Sequence, residues 1–438
     1  MPALALLSLL QFLIAVDVTV VNVALPSIGA QFHAPTASLS WVVTGYTLVG
    51  GGLLLLGGRV TDLLGRRRMF LLGAAVFALA SLAAGLAPDL PTLIVARFAQ
   101  GAGEALASPA AMSLIALLFP EPVERARALG IWGAISASGL VAGVLLSGIL
   151  TQLLHWRWIF GINVPLAAAV LLIAPRLLPP DGPRVRTGRL DLPGAVLLTA
   201  GPLSLVYGVL ESAPAAIAAG ALLVIAFVAV EARTRHPLVP LSFFAHRTRA
   251  VANAVTILLS AALSTAFFLL TLYTQDVLSL GPLRAGLAFL PFCAVLLLTI
   301  SQVPRLIGAL GVKHTAMVGL AVTAAGLAWL ARLPDEGSYA VDVLPGMAGV
   351  AAGMGIGLLA LQNAALHGVG ERDAGTAAGV QRSVDQLGGS LGLAVLVAVA
   401  VADAGVDGFR TAFLYALIGV LVAATGLLLG ARDETSGT

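Results

Sequence analysis

Fourteen stretches of this chain are long and apolar enough to cross a lipid bilayer, and nothing else in it narrows the possible folds as far. They are Leu4–Ile28, Leu39–Leu56, Met69–Ala87, Thr92–Leu118, Ala128–Leu153, Trp158–Leu178, Leu192–Leu210, Ala213–Val230, Val251–Leu278, Leu287–Val303, His314–Ala331, Val341–Leu366, Ala374–Val401 and Phe409–Gly430. About 20 residues at 1.5 Å rise span the hydrocarbon core. Inside that core each backbone N–H and C=O needs an internal partner, so such stretches are helices. Of the 438 residues 59% are hydrophobic and 10% charged, with mean hydropathy +1.00. Soluble domains carry about 25% charged residues. The expectation is an all-α integral membrane protein with 14 transmembrane helices. The longest breaks, Pro179–Asp191 and Glu231–Arg249, are too short to fold alone.

Basic residues set the expected orientation. Of the 24 Lys and Arg, Arg157, Arg284, Arg332 and Arg410 fall on one side, and Arg97 and Arg382 fall within spans. The rest share the side of the N-terminus, among them Arg59, Arg66, Arg67, Arg68, Arg184, Arg186, Arg189, Arg372 and Arg432. Such a bias is the positive-inside pattern and places both termini in the cytoplasm of a multi-pass cell-membrane (inner-membrane) protein. The net charge of +3 reflects that topology, so no nucleic-acid partner is expected. Cys293 is the lone cysteine, which excludes intramolecular disulfides and a cysteine metal cluster. Met1–Leu10 lacks a basic start and a small-residue cleavage site, so the first span is expected to be retained. No phosphate-binding loop or metal-ligand spacing is present, so neither an enzyme nor a metal or nucleotide cofactor is expected.

Charged side chains at the bilayer centre are costly and usually functional. Asp17 lies midway along the first span and Glu104 midway along the fourth, each about twelve residues from the same end. Arg97, Gln100 and Glu104 recur at i, i+3 and i+7, one stripe of a 3.6-residue helix. Burial raises a carboxyl pKa and a guanidinium lowers it, so a carboxyl between the two pulls can exchange a proton near neutrality. A permanent ion pair from Arg97 to Asp17 or to Glu104, bracing helices, is the alternative. In the thirteenth span Gln381, Arg382, Asp385 and Gln386 cluster, with Arg382 and Asp385 spaced to neutralise each other. Either they do so, or they line a substrate cavity. Ser260, Ser264 and Phe267, with Thr256, Phe268 and Thr271, mark a face of the ninth span that can line such a cavity or knit helices together. Trp41, Tyr46, Gln362 and Asn363 are further cavity candidates, Trp41 being equally apt as an interfacial anchor.

The loop after the second span reads Gly58-Arg59-Val60-Thr61-Asp62-Leu63-Leu64-Gly65-Arg66-Arg67-Arg68, and the loop after the tenth reads Ser301-Gln302-Val303-Pro304-Arg305-Leu306-Ile307-Gly308. Val-x-x-Leu-x-Gly recurs in register, with Arg305 at the place of Asp62. With the span count this suggests two six-span halves, residues 1–180 and 249–432, separated by an extra hairpin, 190–232. The hairpin's few polar groups mark it as lipid-facing packing, a gate element being the alternative.

Gly58-x-x-x-Asp62-x-x-Gly65-Arg66-Arg67 resembles the loop motif of the major facilitator superfamily. Asp17-Val18-Thr19-Val20-Val21-Asn22-Val23-Ala24-Leu25-Pro26 resembles the first-span motif of its fourteen-span drug:proton antiporter family. Arg97-x-x-Gln100-Gly101-x-Gly103 and the stretch Trp156–Pro165 resemble its fourth-span motif and the boundary before its sixth span. The fifth-span antiporter motif is eroded: Gly139, Gly143 and Gly148 match, while Val144 replaces its proline and Ser147 a glycine. The resemblance implies two six-helix bundles plus a hairpin, proton coupling through Asp17 and Arg97, and Asn22 at the cavity. It also implies a gating latch at Gly58–Arg67, with Asp62 capping a helix or pairing with a base. The expected function is proton-gradient-driven efflux of small amphipathic or cationic compounds by a monomer using alternating access. A dedicated exporter of one metabolite or antibiotic is the alternative, and a non-transporting membrane sensor a more distant one.

Overall fold

The structure, a computed structural model, describes residues 1–182, 190–235, 237–370, 374–403 and 405–430. Arg184, Arg186, Arg189, Arg372 and Arg432, all assigned above to the N-terminal side, lie outside the described residues. The helices are α1 (Pro2–Phe32), α2 (Thr36–Leu64), α3 (Arg66–Gly85), α4 (Leu90–Leu118), α5 (Pro122–Leu153), α6 (Trp158–Gly161), α7 (Asn163–Leu177), α8 (Leu192–Leu210), α9 (Pro214–Glu231), α10 (Arg247–Leu272), α11 (Pro282–Ala288), α12 (Leu290–Leu330), α13 (Leu344–Ala365), α14 (Ala374–Ala402) and α15 (Val406–Gly430). One turn of π-helix extends α10 over Tyr273–Val277, and another opens α13 at Tyr339–Val343.

Among the described residues thirteen helices are long and apolar enough to cross a bilayer, against the fourteen spans expected. The difference is α12, whose 41 residues hold most of both the tenth and eleventh expected spans. At 1.5 Å per residue it is about 60 Å long, twice the hydrocarbon thickness. Its helical geometry is interrupted at Gly311 (φ 79°, ψ 164°). The polar stretch Ser301–Gly308, expected as a loop, is therefore helical. The loop after the second span is likewise helix as far as Leu64, and the chain turns on Gly65 alone (φ 110°). In the proposed repeat Gly308 was the partner of Gly65. The glycine with positive φ is Gly311, three residues further on.

The chain divides into two compact units. The first comprises Met1–Leu203, Leu222–Leu238 and Pro282–Leu287, the second Ser204–Ala221, Val239–Gly281 and Ala288–Thr438. In the first, α1, α3, α4 and α7 enclose a core of Leu7, Leu10, Leu13, Phe70, Phe77 and Leu114. Asp89 caps α4, its carboxylate accepting the Thr92 N–H at 2.8 Å. Those bonds to Thr92 hold the Asp89 carboxyl below its ordinary range. The hairpin helix α8 lies against α2, with Thr199 over Gly52, whereas α9 is largely exposed. In the second unit α12 and α13 approach backbone to backbone through Gly319, Gly353 and Gly357. Small residues of this kind let helices associate in lipid, where no hydrophobic force draws them together.

Candidate functional site

The carboxylate and guanidinium expected at mid-span meet in the first unit. Asp17 on α1 is fully buried, and Arg97, Gln100 and Glu104 on α4 are each at most 1% exposed. Arg97 Nη1 binds Asp17 Oδ2. It also donates to Gln100 Oε1 at 2.8 Å, while Nε donates to the Val42 carbonyl at 2.8 Å. Gln100 Nε2 donates to Asp17 Oδ1 at 3.0 Å and to Ser81 Oγ on α3 at 2.8 Å. Asn163, the first residue of α7, donates from Nδ2 to Asp17 Oδ1 at 3.0 Å. The guanidinium lies 4.4 Å from the Tyr46 ring centroid and 5.8 Å from that of Phe160. Tyr46, on α2, is fully buried, and its hydroxyl makes no hydrogen bond among the described residues. Five helices thus converge on one ion pair, and the predicted stripe faces the interior. With Glu104, buried one turn beyond Gln100 on α4, the region holds two carboxyls and one guanidinium. It is neutral with one carboxyl protonated and carries −1 with both ionised.

Other candidates from this half are placed elsewhere. Asn22 donates to its own helix at Val18 O (3.1 Å), and Trp41 is buried edge-on against Phe98 with centroids 6.2 Å apart. Neither is hydrogen-bonded to the Asp17 cluster.

In the second unit Arg382 Nη1 and Asp385 Oδ2 lie 3.6 Å apart, with side chains 52% and 30% exposed. Ser260 Oγ donates to Asp385 Oδ1 at 2.6 Å, and Gln381 Nε2 to Thr256 at 3.1 Å. Ser264 packs against Gly389. Its neighbour Phe267 stacks on Phe289 and Phe292, with centroids 4.6 and 5.6 Å away. The hydroxyl face of α10 therefore meets α14. Gln362 and Asn363 are exposed on α13, and Asn363 donates to its own helix at Leu359 O.

At the α2–α3 turn the cap is not Asp62, which is exposed in the last turn of α2. The carboxylate of Asp181, beyond α7, accepts the backbone N–H groups of Arg67 (2.9 Å) and Arg68 (3.1 Å). An acid at the start of α3 satisfies orphan N–H groups and the helix dipole, whereas Asp62 sits at the wrong end of a helix to do either. Arg68 Nε lies 3.8 Å from Asp181, and Arg67 Nη2 donates to the Pro175 carbonyl at 2.7 Å. Gly65 is required twice over: its φ is positive, and a Cβ there would strike the Asp181 carboxylate. Gly58 approaches Pro109, and Arg66 lines a cavity of about 210 Å³ with Thr61, Asp62, Leu117 and Asp181.

The glycines of α5 form a seam against α1. A Cβ at Gly139 would meet the Phe12 carbonyl at 2.8 Å, and one at Gly143 the Val16 carbonyl at 2.7 Å. Gly148 packs on Pro282 and Leu283. Ser147, the departure from the family pattern, donates its hydroxyl to the Val20 carbonyl, and Thr19 Oγ1 donates to Leu140 O at 3.1 Å. Val144 is fully buried.

Ser81 and Asp181 escaped the sequence reading, and Asn163 entered it only within the Trp156–Pro165 stretch, with no role assigned. A polar amide just inside a span was the available signal for Asn163. Ser81 and Asp181 carried none, because small hydroxyls and loop acids are common.

Bilayer-length helices around a sealed, ionisable mid-span cluster define a multi-span membrane transport protein. The chain belongs to the Major Facilitator Superfamily, whose match extends over residues 7–393. It is 50% identical to the lincomycin resistance protein of Streptomyces lincolnensis over 98% of this chain and 91% of that protein. It is 40% identical to the cephamycin export protein CmcT of Amycolatopsis lactamdurans, over 91% and 84%. The multidrug resistance protein Stp of Mycobacterium tuberculosis is 33% identical, over 89% and 73%. Among solved structures, a nucleoside transporter, NupG, superposes with TM-score 0.71 at 14% identity over 98% of this chain and 99% of its own. The xylose transporter XylE from E. coli gives 0.67 at 15%, over 99% and 98%. At these identities the structural likeness concerns the fold.

Proposed function

We propose that the chain is a proton-coupled exporter of small amphipathic or cationic compounds, antibiotics among them, working by alternating access in the cell membrane. One observation carries the reading: Asp17, Glu104 and Arg97 lie within mid-span helices, each at most 1% exposed, and their formal charges cancel only when one carboxyl is protonated. In a low-dielectric interior an uncompensated charge is costly, so such a cluster favours taking up one proton and can surrender it when a cation or a conformational change restores the balance. The driving force is the proton gradient, with no cofactor. The protein acts as a monomer with both termini in the cytoplasm, consistent with the basic residues on that side. The expected partners are its cargo, protons and the bilayer. Arg382 and Asp385, with Ser260, are the candidate contacts for polar groups of the cargo.

A narrower reading, export of one antibiotic, is favoured by relatives named for single compounds, lincomycin and cephamycin. Reconstituted liposomes with an imposed pH gradient, screened with dyes, quaternary ammonium compounds and antibiotics, separate the two. A broad response supports multidrug efflux, and a single responder the dedicated exporter. Asp17→Asn is expected to lower gradient-driven efflux at least tenfold. Equal efflux by the variant and the wild type removes the coupling step.

A further inference from the structure

We infer that Asn163 is a positioning residue that serves Asp17 in both of its protonation states, reversing its amide as the proton comes and goes. The inference rests on the proposed titration of the Asp17 cluster. The sixth span is broken between α6 and α7 at Ile162, which makes Asn163 the first residue of α7 and gives its side chain to Asp17 on α1. Asn163 is fully buried, and while Nδ2 donates to Asp17, its Oδ1 has no hydrogen-bond partner among the described residues. A sealed amide oxygen without a donor is an uncommon expense in a folded protein.

The requirements of Asp17 explain it. As a carboxylate Asp17 needs donors, and it has three: Arg97 Nη1 at Oδ2, and Gln100 Nε2 and Asn163 Nδ2 at Oδ1. As a carboxylic acid it becomes a donor and needs an acceptor. A guanidinium offers none. Gln100 Oε1 already accepts from Arg97 and the Val42 carbonyl from Arg97 Nε. The vacant lone pairs belong to Asn163 Oδ1, and a half-turn about the last side-chain torsion presents them. The step balances simply. A hydronium ion gives its proton to Asp17 Oδ1, one O–H bond forms, water leaves, and the charge of the cluster rises by one. Release reverses each change.

Among the described residues the charged group bonded to Asp17 is Arg97 from α4; Tyr46 from α2 lies beside that guanidinium, and Glu104 is buried one turn beyond Gln100 on α4. Ser81 is the polar contribution of α3 to the cluster. Within α5 and α7 the titratable residues are Glu124, Arg125 and Arg127 in the first two turns and Arg176 in the last, away from this depth. Of the two neutral groups bonded to Asp17, Asn163 is thus the one whose amide oxygen accepts no hydrogen bond among the described residues, Gln100 Oε1 being engaged by Arg97.

Infrared difference spectroscopy on the full-length protein in lipid, titrated without cargo, tests this. With ¹³C-labelled asparagine, acidification should shift an asparagine carbonyl band in step with the Asp17 carboxyl band, and Asp17→Asn should abolish both changes. In Asn163→Leu the carboxyl band should move to higher wavenumber. Because charge-assisted bonds are about twice as strong as neutral ones, its titration midpoint should also rise by about half a pH unit to one unit. Asn163→Gln, which keeps the amide, should hold the wild-type midpoint. A labelled band that ignores the titration of Asp17 overturns the inference even if no variant folds, as does an unchanged midpoint in a folded Asn163→Leu. A coupled infrared response without proton movement in liposomes leaves the inference standing and sinks the exporter reading instead.

Discussion

If the Asp17–Arg97 pair is sealed as described, removing both partners should cost no more than removing one. Asp17→Asn leaves Arg97 buried without the carboxylate bonded to it, and Arg97→Gln leaves Asp17 buried without its guanidinium. Breaking one side of a buried pair costs about 3–5 kcal/mol. If the two losses were independent, the double variant would lose about 6–10 kcal/mol. It keeps neither half of the ion pair, and Glu104 is common to all four members of the cycle, so its loss reduces to hydrogen bonds. Arg97 gives up its bonds to Val42 O and Gln100, and Asp17 its charge-assisted bonds from Gln100 and Asn163. The new amides replace some of these, and each unreplaced bond costs about 0.5–1.5 kcal/mol. The double variant should therefore lose about 2–4 kcal/mol, a coupling of at least about 2 kcal/mol between the sites. The assay is denaturant titration or thermal unfolding of the detergent-solubilised protein for the four members of the cycle. A double variant as damaged as the sum of the singles would show that the two charges do not balance each other, and the neutrality argument would fall with it.

Gly65→Ala should lower the apparent melting temperature, because it places a Cβ at φ 110° against Asp181, a strain of about 1–3 kcal/mol. A neutral outcome would mean that the α3 cap is not formed as described. Ser147→Ala removes the hydroxyl bound to Val20 O and should cost about 1 kcal/mol, while Gly143→Val, which drives a side chain into the α1 backbone, should cost at least twice as much. The reverse order in thermal unfolding would contradict the seam. Asp89 has its carboxyl held below the ordinary range by Thr92. Its contribution is fully present above the unfolded value of about 3.9 and is lost as pH falls through the lower folded value. The stability gap between wild type and Asp89→Ala should stay constant from pH 7 to about 5 and close below about 4; a gap independent of pH would rule out the charged cap.

Much of this was legible in the sequence because bilayers impose a strong code. Apolar length marks a span, and the i, i+3, i+7 spacing of Arg97, Gln100 and Glu104 placed all three on the face that the structure buries. Helix ends were less legible, since hydropathy tracks the lipid boundary while hydrogen bonding continues past it. Hence α2 runs to Leu64 through Arg59 and Asp62, and α12 runs through Arg305 to Gly311. The cluster's partners from distant spans were illegible for a different reason. Which acid caps α3, Asp62 three residues away or Asp181 more than a hundred residues on, depends on where tertiary packing brings the chain back, and spacing says nothing of that.

The mid-span charges of the two units differ in a way that bears on coupling. Arg382 lies eight residues into α14, about 12 Å from its start, with half of its side chain uncovered by protein. A guanidinium at that depth is not stable against hydrocarbon, so this face of α14 is wet. Asp17 lies fifteen residues into α1, about 22 Å from its start, and has no exposed surface. Asp17 itself is closed to water in the conformation seen here. A proton can arrive at Asp17 only after its seal opens, whereas the Arg382–Asp385 pair is already open to solutes. If cargo charge is read at α14 and the proton is held at α1, exchange requires that opening the seal and engaging the solute occur in different conformations. That separation is what prevents a coupled carrier from leaking protons when it has nothing to move.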